Sequence, residues 1–265
     1  MVAASKMRRA QESTKASAPY TRSARRILTS ISKHTSVQDH ILFKKTPVET
    51  RLLIVVASDK GLAGAYNNNI FKMYADQLRI DEKNSISNKT ITIGRKISQF
   101  ASRIKNTEIV GSYESLPDKL DGKALHTILD TAQDYYVNGE VDAVDVIYTE
   151  FISGIKQEVV VSRLLPAGFE PIEDRSGHVF DAVYEPSFSG LIDAVGYRLV
   201  GAQLFQALLD ARASEHSMRM LAMKNATDNA TDLIDDLTLA MNKARQSAIT
   251  QELAEISGGV EALVV

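Results

Sequence analysis

From Ala202 through Ser257 the chain contains neither glycine nor proline, and this freedom from helix breakers constrains the fold more than any other feature. As straight helix the stretch spans about 84 Å, well beyond the diameter of a small domain. Apolar and small residues recur at 204, 208, 222, 226, 230, 233, 237, 241, 244 and 248, in steps of three and four apart from one gap. A long helix with such a seam is usually a coiled coil or a helical rod. Isolated helices are marginal in water, so the seam needs a cover.

The other end of the chain supplies the obvious candidate. Residues 1–46 read as helix: "MVAASKMRRAQESTKASA" is rich in helix formers, and Ile27, Leu28, Ile31, Val37 and Ile41 recur at roughly helical spacing. Pro19 is expected to bend the path or start a new segment, and Pro47 to end it. Between positions 1 and 26, Lys6, Arg8, Arg9, Lys15, Arg22, Arg25 and Arg26 stand against Glu12 alone, while Asp228, Asp232, Asp235 and Asp236 lie on the C-terminal helix. Ala222, Ala226 and Ala230 would allow close backbone approach. These features predict an antiparallel pair of terminal helices, basic against acidic.

Between them the period changes. "RLLIVVAS" at 51–58 is a continuous β-prone run of the kind buried on both faces of a parallel sheet. Strands are expected again near 90–94, 108–111, 143–151 and 157–165, with helices at 66–80, 95–105 and 123–138. The last two strands, separated by "ISGIK", are placed to pair as an antiparallel hairpin. The expected fold is α/β: an antiparallel coiled coil of N- and C-terminal helices plus a Rossmann-like α/β domain with a mainly parallel sheet. The domains are 1–46, 51–186 and 187–265, and Gly196 and Gly201 are weak points near the start of the long helix.

Composition narrows the chemistry. There is no Cys, which removes disulfides, thiol catalysis and cysteine metal sites. The net charge of -2 gives no global attraction to nucleic acid or anionic lipid. "LLIVVA" at 52–57 is too short to span a bilayer. The five His, at 34, 40, 126, 178 and 216, share no metal-ligand spacing. Glu170, Glu173, Asp174 and Asp181 read as a solvated loop. "VVASDKGLAGAYNNN" at 55–69 sits where α/β sheets bind phosphate, but it has neither GxGxxG nor GxxxxGK[ST], so a tight strand-to-helix turn is the better reading. A basic helix could grip a phosphate backbone; with a single nearby aromatic, Tyr20, and no base-reading motif, pairing within the chain explains it better. Met218, Met220 and Met223 suit core filling and a partner surface equally well.

Longer matches are more specific. "MVAASKMRRAQ" at 1–11, "SDKGLAGAYNNNIFK" at 58–72, "VYEPS" at 183–187 and "ASEHSMRMLAMKNATDNATDLIDDLTLAMNKARQSAITQELAEISGG" at 213–259 resemble the gamma subunit family of F-type ATP synthases. That resemblance implies a central-stalk rotor without catalytic, cofactor-binding or metal-binding residues of its own, turned by proton flow through a c ring inside a ring of alpha and beta subunits. The alpha/beta contacts it implies are Met1, Lys6, Arg219, Lys224, Thr250, Gln251, Glu252 and Glu255, with Tyr184 and Glu185 toward the c ring and the epsilon subunit. No nucleic acid is expected. The expected place is the cytoplasmic side of the cell membrane, peripheral and reached only through partners. The family's first helix extends several turns before "MVAASK", so a start codon placed too late is expected; otherwise residues 230–257 would carry an uncovered seam. Val260 and Glu261 stand where small or basic residues are usual, and Ala63 where many relatives carry Cys.

Overall fold

A computed structural model describes residues 2–32, 37, 39–44, 46–105, 107–117, 122–168 and 188–263. Its elements in chain order are α1 (Val2–Ser32), β1 (Thr50–Val56), α2 (Tyr66–Lys83), β2 (Ser87–Ile93), α3 (Arg95–Ala101), β3 (Glu108–Tyr113), α4 (Gly122–Val137), β4 (Ala143–Phe151), β5 (Gln157–Leu165) and α5 (Phe188–Leu263). The sheet order is β3-β2-β1-β4-β5. β1 to β4 are mutually parallel, and β5 turns back antiparallel on β4.

The continuous apolar run becomes the central strand, as a strand covered on both faces must. Leu52, Ile54 and Val56 join Ala24, Leu28, Ile128, Leu204 and Leu208 on one face. Leu53 and Val55 join Tyr66, Ile70, Tyr74 and Ile97 on the other. The period-two alternation of a strand therefore feeds two cores, one under α1, α4 and α5 and one under α2 and α3. Each aliphatic side chain fully buried there contributes about 1.5–3 kcal/mol. The start of β1 is pinned by charge: Arg51 pairs with Asp81 at 3.2 Å and also with Asp145, which Arg163 shares.

α1 and the first part of α5 run antiparallel. The Thr21 hydroxyl donates to the Ala202 carbonyl at 3.3 Å, and Gln206 Nε2 donates to the Thr14 carbonyl at 3.5 Å. Numbers fall along one helix as they rise along the other. Gly196 lies inside α5 and against Leu42: a Cβ there would stand 2.6 Å from Leu42 Cδ1, which would have to move aside.

Two expectations are corrected. Pro19 does not start a new segment; it lies inside α1. The helix tolerates it because Pro19 and Lys15 are both exposed, so the carbonyl that loses its amide partner can turn to water. α1 is described through Ser32, and residues 37 and 39–43 are turn, bend or 3₁₀ rather than α-helix, so the helix does not run on to Pro47. Asp228, Asp232, Asp235 and Asp236 are exposed, and the buried Asp210 is a carboxylate that feels the Arg25 charge. The chain divides into two units, Met1–Met220 and Leu221–Val265.

Candidate functional site

Two places on the molecule invite attention, and the first is the edge of the sheet where the parallel strands end. Open α/β sheets bind ligands in the crevice beyond those ends. Here α5 occupies it. Leu208, Ala211, Arg212 and Glu215 close over Val56, Asp59, Ile93 and Gly94, leaving a cavity of about 40 Å³. That is room for a few waters at most, against about 300–1,000 Å³ for a small-molecule pocket. Gly94 is required by the closeness of the strand ends: its φ is +102°, and a Cβ there would stand 2.2 Å from the Ala57 carbonyl oxygen.

The "SDKGLAGAYNNN" loop is held from within and from α5. Asp59 Oδ1 accepts from the Arg95 and Ser115 amides, both at 3.0 Å. Asn67 Oδ1 accepts from the Ser58 amide at 3.1 Å, and the Ser58 hydroxyl donates to the Lys60 carbonyl at 2.7 Å. Arg219 reaches across from α5, donating to the Lys60 carbonyl at 3.2 Å and the Gly61 carbonyl at 3.4 Å. Its guanidinium also pairs with Glu215 at 2.7 Å. Burial raises the Glu215 carboxyl above its ordinary range, an effect that Arg219 opposes. Tyr66, fully enclosed beside it, is raised for the same first reason, with the Glu215 charge next. The turn reading of this loop fits the geometry, and its contacts are ones a turn needs.

The second place is the later part of α5. Within Leu221–Ile256, Ala222 and Asn242 are partly covered and the rest are exposed. Leu233, Leu237 and Met241, all seam positions, are 58%, 60% and 61% exposed, whereas the earlier seam residues Leu204 and Leu208 are at 0% and 3%. Of the methionine patch, Met218 packs against the α2/α3 core and Met223 is 40% exposed.

The residues singled out in the sequence fall accordingly. Lys6 is exposed and borders a groove with Arg9, Leu209, Arg212 and His216. Lys224, Thr250, Gln251, Glu252 and Glu255 are exposed on α5. There the Thr250 hydroxyl donates to the Gln246 carbonyl at 2.9 Å and Gln251 bonds Glu255 at 3.1 Å. Arg219 stands apart, largely covered and turned onto the 60–61 carbonyls. Met1, Tyr184, Glu185 and the acidic loop at 170–181 lie outside the described residues. Sequence reasoning passed over Arg212, Glu215 and Asp210. The signal for the first two was present: with Arg219 they recur at steps of three and four along one helix face. Among the described residues no group of side chains could hold a metal ion, and no helix is long and apolar enough to cross a membrane.

In one unit an apolar seam is exposed from Leu221 to Ile256, and in the other the sheet crevice is closed by the chain's own α5 residues; such a seam fits a class of protein whose helical rod is covered by further helices or subunits. Comparison with known proteins makes this specific. The family model described as ATP synthase matches residues 1–263. An ATP synthase gamma chain of Variovorax paradoxus is 38% identical over 263 residues, covering 99% of this chain and 90% of that one. The ATP synthase gamma chain of Staphylococcus carnosus is 34% identical over 263 residues, with 99% and 91% covered. The chain belongs to the ATP synthase gamma chain family. Solved structures share the fold. A chain from the central stalk and c ring of the Tetrahymena thermophila mitochondrial ATP synthase matches with a TM-score of 0.59 at 21% identity, covering 86% of this chain and 100% of that one. One from the Euglena gracilis mitochondrial ATP synthase matches with a TM-score of 0.59 at 17% identity, covering 98% and 95%.

Proposed function

We infer that this chain is the central-stalk rotor subunit of an F-type ATP synthase, coupling proton flow through the membrane sector to ATP synthesis at alpha/beta catalytic sites and regulating ATPase activity. The observation that carries the reading is the bare seam of α5. Apolar side chains spaced along one helix for many turns, without cover in the chain's described residues, are a surface for other subunits. The alpha/beta ring is the occupant that family membership supports, and the epsilon subunit and c ring are the further partners. The chain itself is non-catalytic: it moves the sites of its neighbours. It is peripheral on the cytoplasmic side of the cell membrane, held there by the complex.

Within that reading Lys6, Lys224, Thr250, Gln251, Glu252 and Glu255 are the polar contacts to alpha and beta, with Met1 and Arg219 in the same group; Tyr184 and Glu185 face the c ring and epsilon. Exposed charged and amide groups suit contacts that are made and released in turn, since each contributes about 1 kcal/mol or less. The test is reconstitution with the cognate alpha and beta subunits, followed by an ATPase assay. The expected result is an active complex that forms with the whole chain and is lost when the chain is cut after Met220. An alpha/beta assembly whose activity ignores this chain would overturn the reading.

A further inference from the structure

Among the described contacts of α5 with the sheet domain, Arg219 is the last before the boundary at Leu221. Its guanidinium Nη2 lies 2.7 Å from a Glu215 carboxylate oxygen and donates to two successive backbone carbonyls, Lys60 at 3.2 Å and Gly61 at 3.4 Å. Nε adds a second donor to the Gly61 carbonyl at 3.4 Å, and a planar guanidinium that sets Nε and Nη2 on the loop together is more pre-organised than a lysine ammonium. The loop it grips is itself under strain. Leu62, the next residue, has a φ of +60° and is 78% exposed. A γ-branched side chain held out to solvent in the left-handed region persists only when its surroundings over-determine it.

We propose that Arg219 is a positioning residue: with Glu215 it latches α5 to the Lys60–Leu62 loop, so that the helix and the edge of the sheet domain turn as one body and Leu62 is presented in a fixed place. The latch stands on the geometry alone; its service to coupling rests on the rotor reading above. The loop contributes only backbone atoms to the latch, so side-chain substitutions at Lys60 leave it intact. Glu215 supplies the second part of the grip by pairing with Nη2, which restricts the rotamers of the Arg219 side chain.

The absence of Cys permits a clean test. A nitroxide is attached to the full chain at Lys60→Cys, and in a second sample at Asn68→Cys on the exposed side of α2, and its motion is read by spin resonance. The expected result is a slow label at both sites in the parent. With Arg219→Gln the label becomes severalfold faster at position 60 and is unchanged at 68; with Arg219→Lys, or with Glu215→Gln, the change is intermediate. An unchanged label at position 60 overturns the latch, and so does equal loosening at both positions, which would report general destabilisation. Should Arg219→Gln fail to fold, the Lys and Glu215→Gln variants carry the same comparison. The assembled, membrane-bound complex then separates latch from function. Proton pumping per ATP hydrolysed falls in Glu215→Gln if the latch carries torque, and parent-like pumping beside a loosened position 60 overturns that part. A parent chain that does not assemble would instead count against the rotor reading.

Discussion

The two stretches of α5 on either side of Met220 share one apolar periodicity and meet opposite fates. Leu204 and Leu208 are at 0% and 3% exposure under α1 and the sheet, while Leu237 and Met241 are at 60% and 61%. Spacing alone therefore marks a surface to be covered and says nothing of what covers it. The cover of the first stretch is intramolecular, and its residues are spent on stability. The second stretch has no cover among the described residues, and under the rotor reading it is the part available to other subunits.

That difference can be broken by mutation, and the largest effect belongs to the covered stretch. Leu208→Ala should destabilise the free chain by about 2–5 kcal/mol in urea unfolding, through lost burial and a cavity. A loss no larger than that of an exposed site would mean that α5 does not seal the core.

Next in size is Asp210, which is 7% exposed. Burial raises its carboxyl from 3.8 to about 7, with Glu150 adding to the rise, while the bond from Gln206 and the Arg25 charge oppose it. The folded state thus binds this proton more tightly than the unfolded chain, and the contribution to stability falls as pH rises from about 4 to 7. Above that window the cost is complete, on the order of 4 kcal/mol. Asp210→Asn should raise stability at pH 8 and flatten the slope between pH 4 and 7, read from unfolding curves across pH. A variant less stable at pH 8 would show that the charge is compensated in the fold.

The smallest effect in the free chain belongs to Leu237→Ala, at about 0.5 kcal/mol or less. The ranking should reverse in the complex, where the same change weakens binding to alpha and beta measurably and Leu208→Ala does not. Equal behaviour of both variants in both states would remove the distinction between the two stretches.

Most of the sheet could be read in the sequence because its signals are local. The continuous run at 52–56 marked the doubly covered strand, and β4 and β5 fall at 143–151 and 157–165, where alternation and the short "ISGIK" connection placed them. What escaped was decided by tertiary context. Pro19 breaks helices in isolation, yet α1 is held by buried Ala24, Leu28 and Ile31 on its other face. The role of Gly196 became visible only with Leu42 beside it. The site was less legible: Arg219 reads as one more cation on a helix, and its grip on the Gly61 carbonyl spans a sequence separation of 158.

The most direct test of the central claim follows backbone amide hydrogen exchange through residues 221–256, in the free chain and after assembly with alpha and beta subunits. An uncovered helix opens readily, so those amides should exchange fast when the chain is free and slow by about tenfold or more on assembly, while β1 is protected in both states. Exchange in 221–256 that is the same before and after assembly would contradict the claim that this stretch of α5 is completed by other chains.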